Sequence, residues 1–172
     1  KPFQVGNYLA RGLARSRTQA ARLLAEGRVT LNGTPAAKAS TPVHDVVDVA
    51  AVEERWVSRA AHKLLGALDD SGVAVAGRVL DAGASTGGFT QVCLDRGATR
   101  VYAVDVGHGQ LAEPISAHPR VVVHEGLNLR DLTLDNLDGA PVDLVVGDVS
   151  FISLTLLLPR LLGALAQDGE AL

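Results

Sequence analysis

The stretch Val79-Leu80-Asp81-Ala82-Gly83-Ala84-Ser85-Thr86-Gly87-Gly88-Phe89-Thr90 decides the fold of this chain. An apolar run ends in an acid, a glycine-rich loop follows, and a helix is expected from Gln91 to Arg96. Strand, glycine turn and helix in that order place a ligand crevice at the carboxyl end of the strand. The spacing Gly-x-x-x-Gly-Gly is not the dinucleotide fingerprint. Asp81, two residues before Gly83, would repel a pyrophosphate and suits a ligand with a cationic end. A glycine turn that merely joins strand to helix satisfies the same pattern, so the neighbouring segments have to decide.

Four strand-like runs, Val79–Ala82, Val101–Val106, Val121–His124 and Val142–Val146, alternate with helical segments. This is the pattern of an α/β fold with a parallel, doubly wound sheet. Asp81, Asp105 and Asp148 end three of the runs, and strand ends on one edge of such a sheet converge on its crevice. Asp105 stands 24 residues after Asp81, where an acid can accept hydrogen bonds from the two hydroxyls of a ribose. Ahead of the first strand, Ser58 is a fitting N-cap for a helix with the apolar stripe Ala61, Leu64, Leu65 and Leu68. Arg59 and Lys63, four apart, share the flank of that stripe. His108, His118 and Cys93 have no metal-ligand spacing, and no Gly-x-Ser-x-Gly elbow supports a nucleophilic serine.

The chain has 172 residues, 47% of them apolar, so a packed core is expected and disorder is not. Its single cysteine permits no internal disulfide, which fits a cytoplasmic location. The apolar run Leu154 to Leu165 is too short to span a bilayer and is interrupted by Pro159 and Arg160. The net charge of −3 hides an asymmetry: residues 1–38 carry seven basic side chains against Glu26 alone, whereas 57–172 carry eight basic and fourteen acidic ones. A basic front and an acidic rear suggest that the front meets a polyanion.

That front reads as a short helix over 7–13, a second helix opened by Ser16-x-x-Gln19 and closed by Gly27, then a hairpin turning on Asn32-Gly33, its second arm reaching Lys38. Val46 to Val49 gives one more strand. Residues 51–57 read as a linker whose Trp56, the sole tryptophan, is expected to pack between domains.

Gly12-Leu13-Ala14-Arg15-Ser16-Arg17, followed by Ala20-x-x-Leu23-Leu24-x-x-Gly27-x-Val29-x-Leu31-Asn32-Gly33, resembles the S4 RNA-binding module, a small α+β domain assigned to residues 1–50. The resemblance implies a basic surface for structured RNA, formed by Arg11, Arg15, Arg17, Arg22, Arg28, Asn32 and Lys38. Such side chains position RNA through its phosphates rather than read its sequence. Lys1 to Val5 lacks the Arg-Leu-Asp opening of that module.

A second resemblance rests on Ser58-Arg59-x-x-x-Lys63-Leu64, the stretch Asp81 to Thr90, Asp105-Val106-Gly107-x-Gly109-Gln110-Leu111, and Gly147-Asp148-Val149-Ser150-Phe151-Ile152-Ser153. In this order the segments are similar to the TlyA, or hemolysin A, family of S4-linked ribosomal RNA methyltransferases, whose catalytic domain is FtsJ-like. The resemblance implies a Rossmann-like domain over 58–172 that uses S-adenosyl-L-methionine to methylate ribose 2′-hydroxyls, of cytidine in particular, in ribosomal RNA of either subunit. It implies no metal and no membrane partner. Of that family's Lys-Asp-Lys-Glu catalytic set, Lys63 and Asp148 match the first two. The cofactor set comprises Asp81, Gly83, Ala84, Ser85, Gly87, Phe89, Asp105, Val106, Asn128 and Asp148. Ala60 and Ala61 replace two family glycines, and their methyl groups bear on how closely a ligand approaches.

With four strands against about seven in such a domain, and with the second Lys and the Glu expected beyond Leu172, the methyltransferase part is expected to be incomplete and inactive by itself. Two other readings stay open on the residues alone. One is a non-catalytic S4-type RNA-binding protein. The other is a NAD-dependent oxidoreductase, which would need the phosphate-binding glycine spacing.

Overall fold

A computed structural model describes residues 3–4, 16–36, 38–43, 49–51, 55–149 and 153–172. The chain forms two compact units, Lys1–Arg55 and Trp56–Leu172.

The first unit contains β1 (Phe3–Gln4), α1 (Arg17–Ala25), β2 (Val29–Leu31), β3 (Thr34–Pro35), β4 (Pro42–Val43) and β5 (Val49–Ala51). Ser16 caps α1, its Oγ accepting from the Gln19 amide at 3.1 Å. At the other end Gly27 and Arg28 donate back to the carbonyls of Leu24 and Leu23, at 3.1 and 2.9 Å, which closes the helix in a Schellman motif. Asn32 and Gly33 both take positive φ, 49° and 78°, and their two-residue turn pairs Leu31 with Thr34. β2 lies between β3 and β5 in an antiparallel sheet, while β1 and β4 form a separate antiparallel pair. Ala20, Leu23 and Leu24 of α1 pack with Val29 and Ala36 as the core. The second arm of the hairpin ends at Pro35, short of the expected Lys38. The helix expected over 7–13, and 46–48 of the last expected strand, lie outside the described residues.

The second unit runs α2 (Ala60–Ser71), β6 (Arg78–Ala82), α3 (Gly88–Asp95), β7 (Arg100–Asp105), α4 (Glu113–Ser116), β8 (Val121–Glu125), β9 (Val142–Gly147), α5 (Leu154–Ala164) and β10 (Leu165–Ala171). Two short 3-10 turns occupy the β8–β9 connection. The five strands are parallel in the order β10-β9-β6-β7-β8. From β6 the chain steps outward to β7 and β8, then returns to the other side of β6 for β9. The loops after β6 and β9 therefore bound the switch point of a Rossmann-like sheet, where a ligand crevice opens. Val79, Val101, Leu144 and Val146 pack on one face with Ala61, Leu64 and Leu68 of α2 and Val92 of α3. On the other face Leu80, Tyr102, Val104 and Val145 pack with Leu157 and Leu161 of α5. Burial on both faces is why these strands read as continuous apolar runs.

Three expectations change. In the second unit the sequence pattern gives four strands, and its described residues form five. β10, Leu-Ala-Gln-Asp-Gly-Glu-Ala, is a mostly exposed edge strand whose register against β9 jumps between Leu165 and Glu170. Polar edge residues and a bulge together erase the period of two. Next, α3 starts at Gly88 rather than Gln91, because Gly88 serves a close approach to α2. A Cβ there would lie 3.0 Å from the Ser58 Cβ and 3.1 Å from the backbone nitrogen of Ala61. Finally, Arg59 rather than the expected Ser58 holds the N-cap position of α2, and Ser58 Oγ, one residue earlier, accepts from Ala60 N at 3.1 Å. Trp56 packs against the core of the second unit.

Two glycine substitutions should therefore differ in sign. Gly88→Ala should destabilise the second unit by about 1–3 kcal/mol, since its methyl meets backbone that must move. Gly66→Ala, inside α2 with nothing within 4 Å of the added methyl, should stabilise it by about 0.5–1 kcal/mol. Urea unfolding of both variants checks the pair; a shift of the same sign in both would refute the packing argument.

Candidate active site

The loop after β6 is shaped by three left-handed residues, Gly83, Ser85 and Gly87, with φ of 88°, 48° and 94°. Gly83 and Ala84 donate to the Val104 carbonyl at 2.8 and 3.1 Å, which leans the loop on the end of β7. Ser85 takes this conformation with a side chain, at a cost of roughly 1–2 kcal/mol. Its amide is held at 2.8 Å by Asp105 Oδ2, while Asp105 Oδ1 accepts from Gly107 N at 2.7 Å. One carboxylate thus joins the loops that follow β6 and β7.

Asp81 does not face the crevice. It is 1% exposed, and its Oδ2 accepts a 2.6 Å hydrogen bond from Thr90 Oγ1 on α3. Burial pushes its carboxyl up to about 7, against the pull of its Thr90 hydrogen bonds, and the charge of Asp105 adds to the rise. Burial likewise pushes the neighbouring Cys93 thiol up, with a further contribution from Asp81. The expected partnership of Asp81 with a cationic ligand end is therefore corrected: side-chain alternation along β6 turns it under the first turn of α3.

Lys63 and Asp148 meet. Nζ lies 2.7 Å from Oδ2, joining α2 to the loop after β9 across 85 positions of sequence. Beside the pair are two cavities. One, of about 270 Å³, is lined by Gly83, Ser85, Val104, Asp105, Val106, Gln110, Leu129, Asp148, Val149 and Leu157. The other, of about 210 Å³, is lined by Ser58, Ala60, Gly83, Ala84, Ser85, Thr86, Gly88, Phe89 and Asp148. They share Gly83, Ser85 and Asp148, so the glycine loop and the Asp148 end of the ion pair border both, whereas Lys63 lines neither. A Cβ at Gly83 would lie 3.4 Å from Val149 Cγ1, which shows how closely the two loops converge.

The expected cofactor residues Gly83, Ala84, Ser85, Phe89, Asp105, Val106 and Asp148 all line one of these cavities. Gly87 lines neither and instead is the N-cap of α3. Asn128 lines neither because its Oδ1 accepts from Arg130 N at 3.0 Å and caps a 3-10 turn; its neighbour Leu129 takes the wall position. Ala60, in place of a family glycine, forms part of the smaller cavity's wall. Thr86, Gln110, Leu129, Val149 and Leu157 were not singled out by sequence. Gln110 stands inside a quoted motif, whereas Leu157 reaches the cavity only through the packing of α5.

In the first unit Arg17 and Lys38 are exposed, and Arg22 lies 3.8 Å from Glu26. Arg28 is held 3.4 Å from the same acid with its side chain 16% exposed, so it braces the α1–β2 connection rather than standing out as a phosphate ligand. Asn32 occupies the hairpin turn, and Arg11 and Arg15 lie outside the described residues.

The buried carboxyl has a consequence for stability. Folding raises the Asp81 pKa from 3.8 to about 7, so the folded chain retains a proton that the unfolded chain has released. The stabilisation is complete below the unfolded value and is lost as pH rises through the folded one. Asp81→Asn should remove this dependence, with a urea midpoint that falls less between about pH 5 and about pH 8 than that of the unchanged chain. Equal slopes in the two proteins would dismiss Asp81 as the responsible group.

Comparison with known proteins agrees with this architecture. Residues 56–167 match the FtsJ-like methyltransferase family and residues 7–47 match the S4 domain. The chain is 56% identical over 164 residues to the 16S/23S rRNA (cytidine-2'-O)-methyltransferase TlyA of Mycobacterium tuberculosis, covering 93% of this chain and 61% of the relative. It is 37% identical over 150 residues to Hemolysin A of Brachyspira hyodysenteriae, covering 86% and 62%. A solved structure from Streptococcus thermophilus, named as a candidate hemolysin, superposes with a TM-score of 0.68 at 36% identity over 98% of this chain and 63% of its own. This chain thus spans about three fifths of the length of these relatives. No helix among the described residues is long and apolar enough to cross a membrane. From its fold, its glycine loop and the match over 56–167, the chain belongs to the FtsJ-like methyltransferase family, with an S4 domain ahead of the methyltransferase part.

Proposed function

We propose that this chain serves S-adenosylmethionine-dependent methylation of ribose 2′-hydroxyls, of cytidine in particular, in ribosomal RNA. The observation that carries the reading is the Lys63–Asp148 pair, 2.7 Å apart, beside the two cavities of the glycine loop. An alcohol O–H needs a donor for its oxygen and an acceptor for its proton, and the pair presents an ammonium and a carboxylate at that separation. A ribose hydroxyl is a very weak acid, so positioned proton transfer is worth about 10²–10⁴-fold, and orientation of the oxygen contributes more.

The cavities suit the cofactor. Val104, Val106, Leu129 and Leu157 offer apolar wall for a flat base, and Asp105 stands at the same cavity for ribose hydroxyls. Ser58, Thr86 and the start of α3 at Gly88 offer polar groups for an amino-acid end in the smaller cavity. S-adenosylmethionine, when bound, supplies an electrophilic methyl group. Gly83 lines both cavities and adds no side chain to either. Lys63 would donate to the 2′-oxygen and hold it in line, and the Asp148 carboxylate would accept its proton. The exposed arginines of the S4 unit supply attraction for RNA phosphates, and its substrate places the protein in the cytoplasm. The relative from Mycobacterium tuberculosis bears the corresponding name, rRNA (cytidine-2'-O)-methyltransferase.

Three variants test the reading. In a chain of the relatives' full length, Lys63→Ala should lower single-turnover methylation at saturating RNA by about 10²–10⁴-fold while both ligands still bind. A near-normal rate there would remove Lys63 from the reaction. Asp105→Ala should weaken S-adenosylmethionine binding by about tenfold or more in titration calorimetry, through loss of charge-assisted hydrogen bonds. Unchanged affinity in the folded variant would refute the ribose assignment. Replacing Arg15 and Arg22 together by Ala should weaken RNA binding and reduce its log-log salt slope by roughly one to two, leaving cofactor affinity intact. An unaltered salt slope would rule out this surface.

A further inference from the structure

Gln110 lies in the loop after β7 and lines the larger cavity together with Ser85 and Asp105. Its Oε1 is 3.4 Å from Ser85 Oγ. Its side-chain amide rests directly on Gly107, where a Cβ would come within 2.8 Å of the Gln110 Cδ. Gly107 does not have a left-handed φ, so what its missing side chain provides is room for this amide. The amide is thereby held at the same edge of the cavity as the Asp105 carboxylate.

A ribose diol needs more than that carboxylate can give. Each hydroxyl both donates and accepts. Asp105 is an acceptor only, and each of its oxygens already takes a backbone N–H, from Ser85 and from Gly107. Its remaining lone pairs can receive hydroxyl protons, but the hydroxyl oxygens still require a donor. A primary amide supplies that donor beside an acceptor.

We propose that Gln110 is a further ligand-positioning residue, whose side-chain amide donates Nε2–H to a ribose hydroxyl oxygen of the nucleoside ligand while Asp105 accepts the hydroxyl proton. This rests on the reading of the larger cavity as an adenosine site. Gln110 is exposed, so replacing it leaves the core untouched.

Calorimetric titration of this 172-residue chain with S-adenosylhomocysteine, and with its 2′,3′-dideoxyribose analogue, tests the assignment. Gln110→Ala should weaken S-adenosylhomocysteine binding about three- to tenfold and leave the affinity for the dideoxy analogue equal to that of the unchanged chain. Gln110→Glu, which keeps the length but removes the donor, should lose at least as much on the hydroxylated ligand. An equal loss on both ligands would make Gln110 a brace for the loop, and no loss, or full binding by Gln110→Glu, would eliminate the donor role. Failure of the unchanged chain to bind either ligand would overturn the adenosine reading itself, and the proposal with it.

Discussion

The bond from the Ser85 amide to the Asp105 carboxylate fixes the relation between the loops that follow β6 and β7, both of which line the larger cavity. Charge-assisted hydrogen bonds contribute about 1.5–3 kcal/mol each, against roughly 1–2 kcal/mol for a left-handed residue with a side chain. The bond can thus sustain the Ser85 conformation, with Gly107 anchoring the other carboxylate oxygen. Beneath this tie, Asp81 holds the first turn of α3 through Thr90. Two acids from adjacent strands accordingly do different work. The one at the open end of β7 organises the loop and remains at the cavity wall, whereas the one inside β6 is covered and secures the helix. Their positions along their strands decide the division, since both are aspartates.

The Lys63–Asp148 pair differs in kind from these contacts. Both side chains are well exposed, 67% and 43%, and an exposed pair contributes only about 0.2–1 kcal/mol to stability. The fold therefore has little need of it, yet it bridges α2 and the loop after β9 at the switch point of the sheet. The proposed role of the pair in chemistry therefore does not compete with any large contribution to the fold.

Much of this arrangement was legible in the sequence, for identifiable reasons. Strands buried on both faces left unbroken apolar runs, and acids at the ends of β7 and β9 marked the crevice. Ser16, Gly27 and the Asn32-Gly33 pair announced a helix start, a helix end and a hairpin through their own backbone chemistry. What escaped notice depended on packing across the chain. β10 was hidden because an edge strand with a bulge loses its alternation. The true start of α3 was hidden because Gly88 reads as loop until its contact with Ala61 is known. Asp81 and Asp105 were indistinguishable as letters, since only the pleat of the sheet buries one and presents the other. Leu157 reaches the cavity only because α5 folds back onto the sheet.

The charge asymmetry bears on how the proposed reaction would distribute its binding energy. The residues of the methyltransferase part carry an excess of acid, and a polyanion approaching its crevice would meet net repulsion, screened within about 8–10 Å by salt. On the proposed reading, attraction for RNA would then come chiefly from the basic first unit, through phosphate contacts made without regard to sequence. Binding energy gained away from the reacting atoms can be spent on holding one ribose against the Lys63–Asp148 pair, which has too little of its own to capture RNA. Within that first unit Glu26 holds Arg22 and Arg28 at 3.8 and 3.4 Å, which limits how much of the basic surface is free to engage. On the proposed reading, attraction and chemistry would fall to different parts of the sequence, and selection of the nucleotide to the crevice, where geometry rather than charge can discriminate.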